Sequence, residues 1–340
     1  MLKKDSKENV EINLGIQLLR SILCLWVLFS HCTDIKKKHK KYFARNFHVP
    51  TFFMISFYFY YKLLNQKAIS KIKRRFSRLL YPYIFWPFLA FLLNNILFMF
   101  SLLDESIEKI TLIDLYLQIL TGSKYYRSFW FLFNLFILSI LFTIFAFILK
   151  QNQLILYEFL GIISLFLLFT KINSDIFFPY EKHITMSIGR VNSSIPLCVI
   201  GCFYSSINLL SKVKNLKWNF YLISISLIFI LFKYDLFIQY PGFSYSNSLL
   251  YLFSTSFLFI LFGALKFDKF LLLKRILKTI TKYTGGIYYI HPIFPKFIYF
   301  FFNIKKASYF SSFIIYIICY FICFYGNKLF KNNNFKYLFI

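Results

Sequence analysis

The chain is a succession of apolar runs, each long enough to cross a bilayer, with short basic clusters between them. The first begins at Leu14 and ends near Thr33. Others lie at roughly 47–64, 80–103, 129–149, 154–170, 191–210, 218–236, 247–265, 283–303 and 308–326. A hydrocarbon core about 30 Å thick takes ~20 apolar residues as a helix. Inside it every backbone polar group must find a partner within the protein. The runs therefore predict an all-α fold, a polytopic membrane helical bundle of about ten transmembrane helices. Of the 340 residues 59% are hydrophobic and 16% charged, a load that a soluble domain would leave partly facing water. The first run is too long for a signal-peptide core and no small-residue cleavage site follows, so it reads as an uncleaved span. Segment 112–121 reads as a short interfacial helix. No internal repeat is evident, which speaks against the inverted-repeat plan of many transporters.

The formal net charge of +27 suits anionic lipid or an anionic substrate, because the lysines sit at the ends of apolar runs. No basic stripe lies on a soluble fold, so nucleic acid is not the expected partner. Ten spans place both termini on one side, and the Lys/Arg bias makes that side the cytoplasm. The loop with Lys36, Lys37, Lys38, Lys40, Lys41 and Arg45 falls outside, against the rule. Segment 65–82 alternates basic residues with Ile72, Phe76, Leu79 and Leu80. As an amphipathic helix it would lie on the inner leaflet, where the same charges would meet an anionic molecule arriving from the cytoplasm.

Six cysteines include two pairs, Cys198/Cys202 and Cys319/Cys323, whose i, i+4 spacing puts each pair on one helix face. No further ligands converge near them, so they read as small bundle- or lipid-facing residues and no metal site is expected.

Two polar residues in the first span stand out. Arg20 lies about one and a half turns inside it. Snorkelling is one reading; a functional role is the other, and the default for an ionisable residue at depth. His31 follows near the far end. Eleven residues at about 100° each make three turns, so the two share a face, roughly 16 Å apart along the axis. A fixed cation at depth and a titratable imidazole at the end of one face suit an extended anionic molecule whose reactive end meets the His.

Arg20-SILCLWVLFS-His31 resembles the Arg-x10-His element of the acyltransferase-3 family, multi-pass membrane enzymes that acylate surface glycans and other acceptors. Four further segments follow in that family's order. HVPTFFMISF (48–57) is similar to its "VPLFFxISG" span, KRRFSRLLYPYIFWP (73–87) to "RxxRLxPxY", SFWFLFNLF (128–136) to "WFL", and TGGIYYIHPIF (284–294) to "SYxIYLxHP". Gln17 and Leu18 stand where many members carry Asp-Gly, Phe57 where they carry Gly, and Ser128-Phe129 where a polar residue often precedes the Trp-Phe-Leu element.

The resemblance implies a membrane-bound O-acyltransferase, first of all an O-acetyltransferase, moving an acyl group from acyl-CoA to a hydroxyl of a surface or cell-envelope glycan. Acyl-CoA would be a substrate rather than a tightly bound cofactor. His31 and Arg20 are the catalytic candidates. Arg74, Arg75 and Arg78 are candidates for holding the donor, and Tyr288, Tyr289, His291 and Trp130 for lining the substrate path. For His291, kinking of the helix at Pro292 is the competing structural reading. Arg127 reads as an interfacial anchor, and loop 171–190 as a solvated loop or an acceptor contact. The expected organisation is a cytoplasmic segment 1–13, a membrane acyltransferase domain 14–326 and a cytoplasmic tail 327–340, all in the plasma (inner) membrane. The partners would be the acyl-CoA, a glycan or lipid-linked saccharide, and the bilayer. An exporter of a glycan or lipid-linked sugar is the main alternative, and a fold-retaining protein without chemistry a second; neither requires Arg and His on one face.

Overall fold

The helix His48–Asn65 is apolar or aromatic on every side, the pattern of a helix buried all round. It runs through the middle of the bundle. The structure, a computed structural model, describes residues 13–32, 48–65, 69–100, 109–122, 124–125, 129–148, 182–213, 249–265, 271–294 and 309–340. The expected spans 154–170 and 218–236 lie outside the described residues. In chain order the helices are α1 (Leu14–Cys32), α2 (His48–Asn65), α3 (Ile69–Met99), α4 (Leu112–Thr121), α5 (Trp130–Ile148), α6 (Lys182–Ser206), α7 (Leu209–Val213), α8 (Leu249–Ala264), α9 (Leu271–Lys282), α10 (Thr284–Ile290) and α11 (Tyr309–Leu329). Short 3-10 turns cover His291–Ile293 and Asn334–Leu338. Among the described residues every regular element is helical. Three helices, Ile69–Met99, Trp130–Phe147 and Ser312–Leu329, carry stretches long and apolar enough to cross a membrane.

α2 divides the core. Phe53, Phe57, Tyr60 and Tyr61 join a cluster with α3, α5, α6, α10, α11 and the later turns of α1 (Cys24, Val27, Leu28). Met54, Ile55 and Tyr58 join a second with α1, α7 and α8. Lipid tails are as apolar as leucine, so close fit rather than water exclusion holds such helices together. Gly201 of α6 shows it: a Cβ there would strike the Met54 carbonyl of α2, so the two backbones meet as closely as glycine permits. Ring edges do the rest, with Phe53–Phe131 and Phe57–Phe142 both T-shaped at 4.8 Å. Ile84, Phe88, Leu92 and Ile96 of α3 stay exposed in a row four residues apart. That stripe is the kind of surface lipid covers.

Several boundaries differ from the sequence reading. Residues 69–82 of the basic segment and 80–99 of the third span form one continuous helix, α3, which passes through Pro82 and Pro87. α6 begins at Lys182, so His183 and Arg190 belong to a helix rather than to loop 171–190. The span expected at 283–303 is interrupted by a 3-10 turn over His291–Ile293, which contains Pro292, because proline lacks the amide a helix interior needs. α9, not foreseen, puts Lys278 and Lys282 on one exposed side, Leu272 and Ile276 on another, and Leu277 and Thr281 against the protein. This is the distribution of a helix lying in the interface. Residues 327–340, read as a tail, continue α11 to Leu329 and then fold back in the second 3-10 turn.

α4 lies where the interfacial helix was expected. Its start is a capping box: the Thr111 amide donates to the Asp114 carboxylate (2.9 Å) and the Asp114 amide to the Thr111 hydroxyl (3.2 Å). Gly122 closes the other end in the left-handed region at φ 67°. The Thr111 amide, then the Thr111 hydroxyl and Lys124, hold the Asp114 carboxyl below the usual carboxylate range. A depressed carboxyl stabilises the fold above its unfolded value of about 3.9, and the contribution disappears as pH falls through the lowered folded value. Amide exchange in 112–121, corrected for intrinsic rates, should therefore stay flat from neutrality to about pH 5 and accelerate in more acid solution. Asp114→Asn should raise exchange at neutral pH and remove that acid dependence.

Candidate functional site

A guanidinium in the bundle interior must be bonded on most sides to be tolerated. Arg75 of α3 meets that demand. Its Nη2 donates to Ser56 Oγ of α2 (2.9 Å) and its Nε to Ser139 Oγ of α5 (3.2 Å). The cation also lies over the Tyr60 ring at 4.3 Å and the Phe57 ring at 5.7 Å. The Tyr60 hydroxyl donates to the Ser139 carbonyl (3.1 Å) and shares a hydrogen bond with Thr143. The site is thus held by three helices.

Arg20 of α1 is half-buried, and its Nη1 donates to Gln17 Oε1 one turn away (3.2 Å). The residue that replaces the family's usual Asp still serves Arg20, but as a neutral acceptor. Arg78, one turn beyond Arg75, is exposed and rests over the Tyr337 ring at 5.8 Å. Arg20, Arg75 and Arg78 all lie within electrostatic reach of the buried Tyr289 of α10. Arg74 points outward and is not among the cations acting on Tyr289. Asp114 is the one acidic residue among the described residues, and it pairs with Lys124 (3.4 Å). An uncompensated cationic cluster in a bundle is a place for an anion.

α10 supplies the rest of the wall. Tyr288 packs on Phe131 (5.6 Å) and on the His291 ring (5.7 Å), and Tyr289 on Phe129 (6.2 Å). His291 is 1% exposed, with Nδ1 2.8 Å from the Tyr288 carbonyl. That contact assigns the neutral ring's proton to Nδ1 and makes Nε2 its acceptor nitrogen. α10 is tied to α1 by the Cys24 thiol, 3.4 Å from the Thr284 carbonyl. Trp130 opens α5, and its ring lies under the Arg190 guanidinium at 5.0 Å. α1 runs unbroken through Arg20 and His31; the His31 side chain and Arg127 lie outside the described residues. An open groove of about 360 Å³ along Ile72, Lys73, Phe76 and Leu80 is turned away from Arg75 and Arg78 on α3, and so is separate from the cluster.

Reading the sequence did not find Ser56, Ser139 or Tyr60 as partners of Arg75, nor Thr143 as a partner of Tyr60, nor Arg190 on Trp130. Arg190 stands among polar and small residues that read as loop, and Ser56 was visible only as a hydroxyl inside a span. The five described cysteines, Cys24, Cys198, Cys202, Cys319 and Cys323, are free and buried.

These features define a helical membrane protein in which Arg75 is bonded between three helices and Arg78 stands exposed one turn away. The acyltransferase-3 family model, described as an acyltransferase domain, matches residues 13–339, and the chain belongs to that family. No curated protein and no solved structure shows significant similarity to it.

If Arg75 pins α3 to α2 and α5, Arg75→Met should lower the melting temperature of the purified protein, by about 2–3 kcal/mol in stability. Arg75→Lys should not restore it, since an ammonium has no planar fork to serve two hydroxyls and a ring at once. In a cycle with Ser139→Ala the two losses should fall short of additivity by about 1 kcal/mol; simple additivity would refute the pin.

Proposed function

We propose that this acyltransferase is a membrane-bound O-acyltransferase that moves an acyl group, acetyl in the first instance, from acyl-CoA to a hydroxyl of a surface or cell-envelope glycan. The observation that supports the donor assignment is that Arg75 and Arg78 stand one turn apart on α3, and that neither they nor Arg20 is paired with a carboxylate among the described residues. Coenzyme A is strongly anionic through its phosphates, and guanidinium groups match phosphate oxygens in charge and geometry. The glycan acceptor rests on the sequence resemblance.

The chemistry assigned to His31 is general base catalysis. Its imidazole takes the proton of the acceptor hydroxyl as that oxygen attacks the thioester carbonyl. The C–O bond forms, the C–S bond breaks, and the thiolate of coenzyme A leaves to be protonated. Arg20, three turns away on the same face, holds the donor's anionic part so that the thioester lies along α1. Tyr288, Tyr289 and His291 line the path; Trp130 beside Arg190 belongs to a second region nearer the acceptor. In this reading the bundle has about ten spans in the plasma membrane, with both termini in the cytoplasm where acyl-CoA is made. In the same reading acyl-CoA comes and goes as a substrate rather than staying as a tightly bound cofactor.

Purified protein given radiolabelled acetyl-CoA and candidate glycans should yield labelled, base-labile ester. His31→Ala should lose on the order of a hundredfold or more in turnover, the scale of a positioned base, while keeping its melting temperature. Arg20→Ala should raise the donor KM, with only partial recovery in Arg20→Lys. Wild-type protein that forms no acyl product with any donor, yet moves glycan across vesicles, would instead establish an exporter.

A further inference from the structure

Beyond α11 the chain turns back into the bundle. Tyr337 and Leu338 are 7% and 2% exposed. Trp86 of α3 donates its indole N–H to the Leu338 carbonyl (3.3 Å) and meets the Phe339 ring edge-on at 6.2 Å. Phe339 in turn stacks on Phe330, centroids 5.8 Å apart and planes 2° from parallel. The slot that receives this segment is cut by glycine. A Cβ on Gly286 of α10 would come within 2.6 Å of the Phe339 carbonyl and of Cys323 Sγ. α10 can carry no side chain there while the segment is docked.

The segment reaches the arginine cluster from two directions. It abuts the first turn of α10, the helix that presents Tyr289 three residues after Gly286. It also touches Arg78, whose guanidinium lies over the Tyr337 ring. Arg78 makes no hydrogen bond or ion pair with another described residue, so that ring is its anchor. The Tyr81 ring lies against Tyr337 at 6.3 Å and completes the platform.

We propose that the segment Asn334–Ile340 is a positioning element of the donor site, and that Tyr337 is the positioning residue that holds Arg78 toward Tyr289. The inference rests on the donor reading given above. An exposed arginine spreads over many rotamers and must be ordered again each time an anion binds. An aromatic face beneath it removes part of that cost in advance. The benefit falls on donor affinity rather than on the bond-making step, because Tyr337 touches no reacting atom. Ordering one rotamer-rich side chain is worth about 2- to 10-fold in affinity.

The test is equilibrium binding of coenzyme A to the purified full chain in nanodiscs, together with donor KM and kcat. Tyr337→Phe keeps the ring, whereas Tyr337→Leu keeps an apolar filler without a π face. Binding should be near wild type in Tyr337→Phe and about 5-fold weaker in Tyr337→Leu, with KM following and kcat little changed. In a cycle with Arg78→Ala, the Tyr337→Leu effect should vanish. Gly286→Ala, which disturbs the docked segment without altering it, should weaken binding in the same way if the variant folds. A purely structural role predicts equal behaviour of the Phe and Leu variants, or additivity with Arg78→Ala, and either overturns the proposal while leaving the donor reading intact. A wild-type protein that binds no coenzyme A overturns both.

Discussion

Arg75 sets the terms on which the bundle closes. A guanidinium at that depth is costly unless it is bonded, and Arg75 donates from Nη2 to Ser56 and from Nε to Ser139, on two different helices. The Tyr60 ring beneath it, itself bonded through its hydroxyl to α5, completes a polar island in an otherwise apolar cluster. Polar groups of this kind fix helix register in lipid, where apolar packing alone distinguishes registers weakly. With α2, α3 and α5 in register, α3 presents Arg78 one turn further along, and α10 can lay Tyr288 and Tyr289 against Phe131 and Phe129.

The same constraint explains why cations in this chain fall into two kinds. Arg75 is bonded on several sides and serves chiefly to hold helices. Arg20 and Arg78 are bonded lightly, one to a neutral amide and the other to a ring face. A carboxylate in place of Gln17 would form an ion pair with Arg20 and lower its pull on an incoming anion. The amide orients the guanidinium without cancelling its charge. Arg75 and Arg78, one turn apart in a single sequence segment, thus differ in how many protein groups they engage.

Legibility followed the range of the forces involved. The existence of most helices was plain from the length of the apolar runs, because a bilayer demands that length whatever the neighbours are. α4 was placed correctly since its signals are local, from the Thr111–Asp114 box to Gly122. α9 was missed because a basic stretch between spans reads as a loop until its apolar residues are placed on a helix. The early start of α6 was missed because Arg190 and its polar neighbours look like loop; stacking on Trp130 is a tertiary fact. His291 and Pro292 were recognised together, and the break they cause in α10 follows from proline's own geometry.

By itself the sequence determined that this chain is a helical membrane protein, that Arg20 and His31 sit three turns apart on one helix, and that its motifs fall in acyltransferase-3 order. These rest on hydropathy and helical periodicity, which act along the chain. Tertiary structure decided which arginines converge on Tyr289, that Arg75 is shared by Ser56 and Ser139, and that residues after Leu329 return to dock beside Gly286. Those outcomes depend on contacts between residues separated by tens to hundreds of positions. Their strength comes from orientation and desolvation in the packed bundle, and neither is encoded in the local pattern of residue types.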